Sequence, residues 1–360
     1  LTLVNQTLPD GAIVSPSVSF GGTSTHPINA NLAGTDGLNF EATRTGANQD
    51  TVLVLGGSNT YSGVTSISGP NGQQRTILRA GSDQALGNSV LAFNRRGGQE
   101  RLIFELNGHD VSLAGLSYPT GGNDGGGYLQ FGGYIVNKSA SNATLSVDMD
   151  THYTYNGNFS DGPGGGSLAI VKDGTGTLTL REANTFHAYS GGLTIKDGKL
   201  VPNGSNNALG TGGVTMGDAG TTGTLVHSGA STFSQAFTMA AGGVGAFEFA
   251  ANVTLSGLVD GDGGLTKTGA GTLTLTNPTN SWSGDTGVDV GTLSVSTNHL
   301  ADLADVRIAT GAILDLNFNA TDTVRELYFN GAVQVTGTWG AVGSGADNES
   351  VLFSGPGILN

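Results

Sequence analysis

The stretch Gly263 to Val295 reads GGLTKTGAGTLTLTNPTNSWSGDTGVDVGTLSV. Leu273 and Leu275 alternate with Thr272, Thr274 and Thr276, a period of two that sends leucines to one face of a strand and threonines to the other. Val288 and Val290 repeat the pattern beyond a corner of Asn, Ser, Trp and Gly. Gly291 breaks the alternation, and Leu293 with Val295 resumes it. Each run is short and has a glycine at one end, so none can form a long strand. A chain built this way winds into coils rather than crossing a wide sheet.

The same stretch occurs twice more. Gly174-Thr-Gly-Thr-Leu-Thr-Leu180 leads to Asn184-Thr-Phe186, Ser190 to Ile195 and Lys196 to Leu200. Gly271 follows Gly176 by 95 residues, and Leu293 follows Leu200 by 93. An earlier copy runs through Val52–Leu55, Asn59-Thr-Tyr-Ser-Gly63 and Val64–Ile67. Ala85-Leu-Gly87, Ala208-Leu-Gly210 and a degenerate Asp302-Leu-Ala304 follow the three cores. Three imperfect units point to a repeat architecture.

Gly-x-Gly-Thr-Leu-x-Leu, then Asn-Thr/Ser-Tyr/Phe/Trp-x-Gly, then a Val/Ile strand and Gly-x-Leu, resembles the autotransporter-associated β-strand repeat of exported bacterial surface proteins. The third copy matches along its whole core. The second carries His187-Ala-Tyr189 inside its corner, and the first lacks the opening Gly-Thr-Leu. Clear motif covers about a third of the chain. The resemblance implies an all-β fold, a right-handed parallel β-helix (β-solenoid) with three imperfect long repeats, and an exported surface or matrix role. It implies no enzyme and no shared catalytic residues.

Composition agrees. Of 360 residues, 62 are Gly and only 9 Pro, with no triplet period, which excludes collagen. Charged residues make up 12%, so Thr, Ser, Asn and Gly must cover the surface, a poor surface for helices. A net charge of −14 repels nucleic acid and anionic lipid, and Arg95-Arg96 is the densest cationic spot. No apolar run reaches the length of a transmembrane helix. Zero cysteines suit a long solenoid, exported or not. The chain opens at Leu1, as expected of a trimmed exported precursor.

Residues 1–37 do not match the repeat and read as an irregular lead-in, a cap or an assembly segment broken by Pro9, Pro16 and Pro27. Residues 38–360 read as one continuous solenoid, with repeat cores near 52–93, 174–216 and 263–308. A coil of about 20 residues gives something like 15 coils. Leu178, Leu180, Ile195, Leu273, Leu275 and Val288 are expected to stack inside them.

Few residues suggest chemistry. Asp148, Asp150 and His152 alternate as if on one strand face, which would set the carboxylates roughly 6.5–7 Å apart, near an inverting glycosidase pair or a metal site. The competing reading is a solvated strand face. Asp260-Gly-Asp262 and Asn123-Asp124 resemble fragments of calcium loops, without the tandem repeat that binds calcium. No cofactor is implied. Asn59 with Tyr61, Asn184 with Phe186 and Asn280 with Trp282 mark the repeat corners, where aromatics either stack inside the wall or form a sugar platform. Gly121–Gly127 is a glycine-rich loop that could carry binding.

The expected function is a non-enzymatic extracellular structural protein, a subunit of a surface layer or fibre. An adhesin that grips cell-surface glycans is the alternative, and a polysaccharide-cleaving enzyme comes third. Apolar ends suggest head-to-tail self-association through Leu1, Leu3 and Val4 against Val351, Phe353 and Leu359.

Overall fold

In the computed structural model, residues 24–43, 50–69, 75–94, 101–118, 133–181, 187–203 and 206–360 are described, with the backbone pairing of Gln6–Thr7, Ile13–Val14 and Ser17–Gly21. The fold is all-β: parallel strands stack coil upon coil into a β-solenoid. Among the described residues the helical structure is one short turn, Asn206–Leu209, and no helix is long and apolar enough to cross a membrane. Two compact units divide the chain, Leu1–Gly192 with Pro202–Thr211, and Leu193–Val201 with Gly212–Asn360.

In the first unit, six parallel strands stack in the order Ser24–Ile28, Asp50–Leu55, Arg75–Ala80, Arg101–Glu105, Gly133–Asn137 and Asn158–Asp161. Their register lines up Leu53, Leu78, Phe104, Ile135 and Phe159, all with no exposed surface. Burying each such side chain contributes about 1.5–3 kcal/mol. These strands do not alternate as the leucine–threonine runs do. Val52, Ile77, Ile103 and Val136 form a second apolar cluster, and continuous apolar runs are what a strand covered on both faces requires. A second stack joins Ser17–Gly21, Asn39–Thr43, Ser62–Ser68, Asn88–Asn94 and Gly115–Ser117. Coil stacking therefore begins inside the segment expected to be irregular. Pro27 fits there because its strand lies at the edge of its sheet, where a missing amide breaks no inner ladder.

The second unit has tighter coils. Phe233, Leu255, Leu275, Val295 and Leu316 form one inward column, and Val253, Leu273, Leu293, Leu314 and Phe353 the next. Successive members of the first column are 20 to 22 residues apart. In the first unit the step from Leu53 to Leu78 is 25 residues, and from Phe104 to Ile135 it is 31. Longer coils mean fewer of them than a 20-residue repeat gives.

The C-terminal segment corrects the expectation of an open apolar end. Phe353 pairs with Leu314 and is buried, and Leu359 pairs with Asp322 and is buried. Ala332–Val333 lies antiparallel on Glu326–Phe329, and Trp339–Gly340 lies antiparallel on Ile358–Leu359. The apolar residues near the terminus thus fill their own last coils. Val333, Val335, Val342 and Val351 are the exceptions, each more than half exposed. Leu1, Leu3 and Val4 lie outside the described residues.

Candidate functional site at the solenoid corners

Three corners share one construction. Tyr61, Tyr189 and Trp282 are each followed by Ser-Gly and, six residues on, by an inward Ile67, Ile195 or Val288. All three rings are buried. Thr65 Oγ1 donates to the Tyr61 hydroxyl at 3.0 Å, Trp282 Nε1 donates to Thr286 Oγ1 at 2.9 Å, and the Tyr189 hydroxyl donates to the Ala208 carbonyl at 3.1 Å. Burial pushes the Tyr61 phenol up to about 12 and raises that of Tyr189 further. In the second copy the buried ring of the pattern is Tyr189; Asn184 and Phe186 lie outside the described residues. The aromatic-Ser-Gly spacing identifies Tyr189, but a second aromatic three residues upstream obscures it. Rings sealed in the wall offer no sugar platform.

Two residues before each ring, a side chain accepts a backbone N–H from the preceding coil. Leu32 N donates to Asn59 Oδ1 at 2.8 Å, Val259 N to Asn280 Oδ1 at 2.8 Å, and Phe159 N to His187 Nδ1 at 3.3 Å. Asn59 also donates from Nδ2 to the Ala85 carbonyl of the next coil at 2.7 Å. Asp322 does a similar job, accepting Leu300 N at 3.0 Å. Such bonds satisfy amides that the bend removes from the sheet ladder. Burial pulls His187 down to about 4 and pushes Asp322 up to about 6.

Two lysines escaped the pattern reading. Lys172 and Lys267 both precede Gly-x-Gly-Thr-Leu, 95 residues apart, at inward strand positions, and both are fully buried. Lys267 Nζ donates to the carbonyls of Thr268 (2.6 Å), Gly269 (2.6 Å) and Val290 (3.2 Å). Lys172 Nζ donates to those of Asp173 (2.9 Å) and Gly174 (2.5 Å). The long side chain bends back from the core and ties the glycine turn that opens each repeat. The recurring Lys-x-Gly-x-Gly was the available signal.

The acidic candidates do not lie on one strand. The strand Ala143–Asp148 ends at Asp148, and Asp150 and His152 follow in the bend beyond it. The alternation of one strand face therefore does not reach them. Asp150 Oδ1 accepts the Thr175 amide (3.1 Å) and hydroxyl (2.9 Å), which hold its carboxyl below the usual range. His152 Nε2 lies 3.4 Å from Thr154 Oγ1. Asp260 accepts Thr238 Oγ1 at 2.8 Å and Asp262 accepts Ser283 Oγ at 3.2 Å. Among the described residues, no three His, Cys, Asp or Glu side chains converge as a metal site would require. Asn123 and Asp124 lie outside them.

Several cations face carboxylates of their own chain. Arg79 Nε (2.6 Å) and Lys138 Nζ (2.5 Å) both bind the buried Glu105. Arg325 Nε (2.7 Å) and Arg307 (2.5 Å) both bind Asp305, whose carboxyl they hold below the usual range.

Comparison with known proteins follows the same repeats. The model of the passenger-associated-transport-repeat matches residues 50–69, 170–201 and 265–295. A relative described as adhesin BmaC autotransporter, from Brucella suis biovar 1 (strain 1330), is 32% identical over 208 residues. That match covers 54% of this chain and 6% of the relative, so the chain corresponds to a small part of the relative's length. No solved structure matches. The three matched stretches coincide with the three corners and the strands that frame them, and in these stretches the chain is similar to the passenger-associated-transport-repeat of autotransporter passengers, a likeness that implies exposure at the cell surface or beyond it.

Proposed function

We propose that this chain is a segment of a surface-displayed adhesin, a non-catalytic scaffold whose outward side chains and loops contact cell-surface glycans or matrix. The observation that carries the reading is the 208-residue match to a relative named as an adhesin. The chemistry supports it. The repeat aromatics and leucines point inward, and Asp150, one of the two acids that suggested catalysis, is tied to the Thr175 amide and hydroxyl. The fibre reading loses support at the C-terminal side, because Phe353 and Leu359 are filled positions rather than free ones.

The test is binding of the purified chain to cultured epithelial cells and to a glycan array. Saturable binding, with no sugar released from acidic or neutral polysaccharides, is the expected result. Failure to bind, with fibres seen by microscopy, would return the structural reading to first place. Released sugar, lost in Asp148→Ala, would make the chain an enzyme.

A further inference from the structure

The three corners differ at one position in a way that matters chemically. Asn59 and Asn280 accept their amides with an oxygen that does not titrate, whereas His187 accepts with a ring nitrogen. A histidine accepts at Nδ1 only while neutral and protonated at Nε2; as a cation it donates at both nitrogens. We propose that His187 makes its corner a pH-responsive latch: protonation of Nδ1 removes the acceptor for the Phe159 amide and sets two N–H groups against each other, so the corner parts from the strand Asn158–Asp161 in mild acid.

The surroundings favour this outcome. His187 is 5% exposed, with Phe159 at 5.5 Å and Tyr189 at 6.5 Å between ring centroids. Burial among these rings is the cause of its depressed basicity. Among the described residues, the ionisable groups on the packed elements do not stabilise a cation there. Asp161, on the adjacent strand, accepts Leu168 N (2.7 Å) and Ser190 N (3.3 Å). The phenols of Tyr155 and Tyr189 are kept protonated by burial. The next coil at Ala208–Thr211 carries no ionisable side chain. Three further bonds depend on the corner's position: Ala188 N to Phe159 O (3.0 Å), Asp161 N to Ala188 O (3.0 Å) and Thr211 N to Tyr189 O (3.0 Å). Acid opening should therefore expose several amides together.

The experiment is amide hydrogen exchange on the whole chain between pH 7.5 and 5, corrected for the intrinsic pH dependence. Protection of Phe159, Ala188 and Asp161 should fall by roughly thirtyfold at pH 5, the factor that follows when the open state binds the proton at an ordinary histidine pKa and the closed state near 4. Leu32, held by Asn59 in the same unit, is the internal reference and should stay protected. His187→Asn, which installs the residue of the other two corners, should flatten the response. Constant protection in the wild type, an equal fall at Leu32, or an unchanged fall in H187N would each overturn the proposal. The wild-type comparison stands alone if the variant does not fold.

Discussion

Lys267 sits in a column otherwise made of Leu200, Leu225, Phe247, Val288, Ile308 and Phe329. Its place is set by what its tip reaches, three carbonyls, rather than by its polarity. Lys267→Met keeps the volume but leaves those carbonyls unpaired, and should cost about 1–3 kcal/mol in denaturant unfolding. Leu275→Asp is harsher, since it places a carboxylate in a closed apolar column; several kcal/mol, or failure to fold, is expected. Asp322 predicts the opposite sign. Its carboxyl is raised to about 6, so the native state takes up its proton first, and the group adds stability as pH falls from 6 towards 4. Asp322→Asn keeps an acceptor for Leu300 N, loses the weaker one for Thr323 N, and removes the charge. The variant should be more stable than wild type by about 2 kcal/mol above pH 7, with the advantage gone near pH 4. Equal stability curves across that range would contradict this assignment. The inward leucines were legible because a period of two states its face directly. His187 and Lys267 were not, because nothing in a sequence tells which polar side chain finds a partner in the coil beside it.

Glycines fix where each repeat turns. Gly269 has φ +77°, and its counterpart Gly174 has +73°, a backbone that favours glycine. A Cβ at Gly271 would lie 2.1 Å from the Ala251 carbonyl oxygen, and one at Gly176 would lie 2.1 Å from that of Thr151. The first glycine turns the chain, and the second lets it pass under the preceding coil. Gly271→Ala should therefore push two coils apart and cost about 1–3 kcal/mol, a loss visible as a lower melting temperature. A variant that melts with wild type would show that the coils are less closely stacked. At this scale the Gly-x-Gly-Thr-Leu runs of the second and third copies announced both strand and turn. The first unit was harder to read. Val52, Ile77 and Ile103 break the alternation, since both faces of their sheet are apolar, and coil steps as different as 25 residues (Leu53 to Leu78) and 31 (Phe104 to Ile135) hide a 20-residue period.

For the molecule as a whole, an acidic chain with few charged residues must cover its surface largely with Thr, Ser, Asn and Gly, and its net charge of −14 repels nucleic acid. Every reading of that surface rests on in-register stacking of parallel coils. The most direct test uses the absence of native cysteine. Thr254 and Thr274 are register partners on neighbouring coils, and neighbouring strands lie about 4.8 Å apart, within reach of a disulfide. The pair Thr254→Cys with Thr274→Cys should oxidise nearly completely. Thr254→Cys with Thr272→Cys, displaced by two residues and about 8 Å apart, should remain reduced. Efficient bridging in the displaced pair, or none in the aligned pair, would contradict the stacked register.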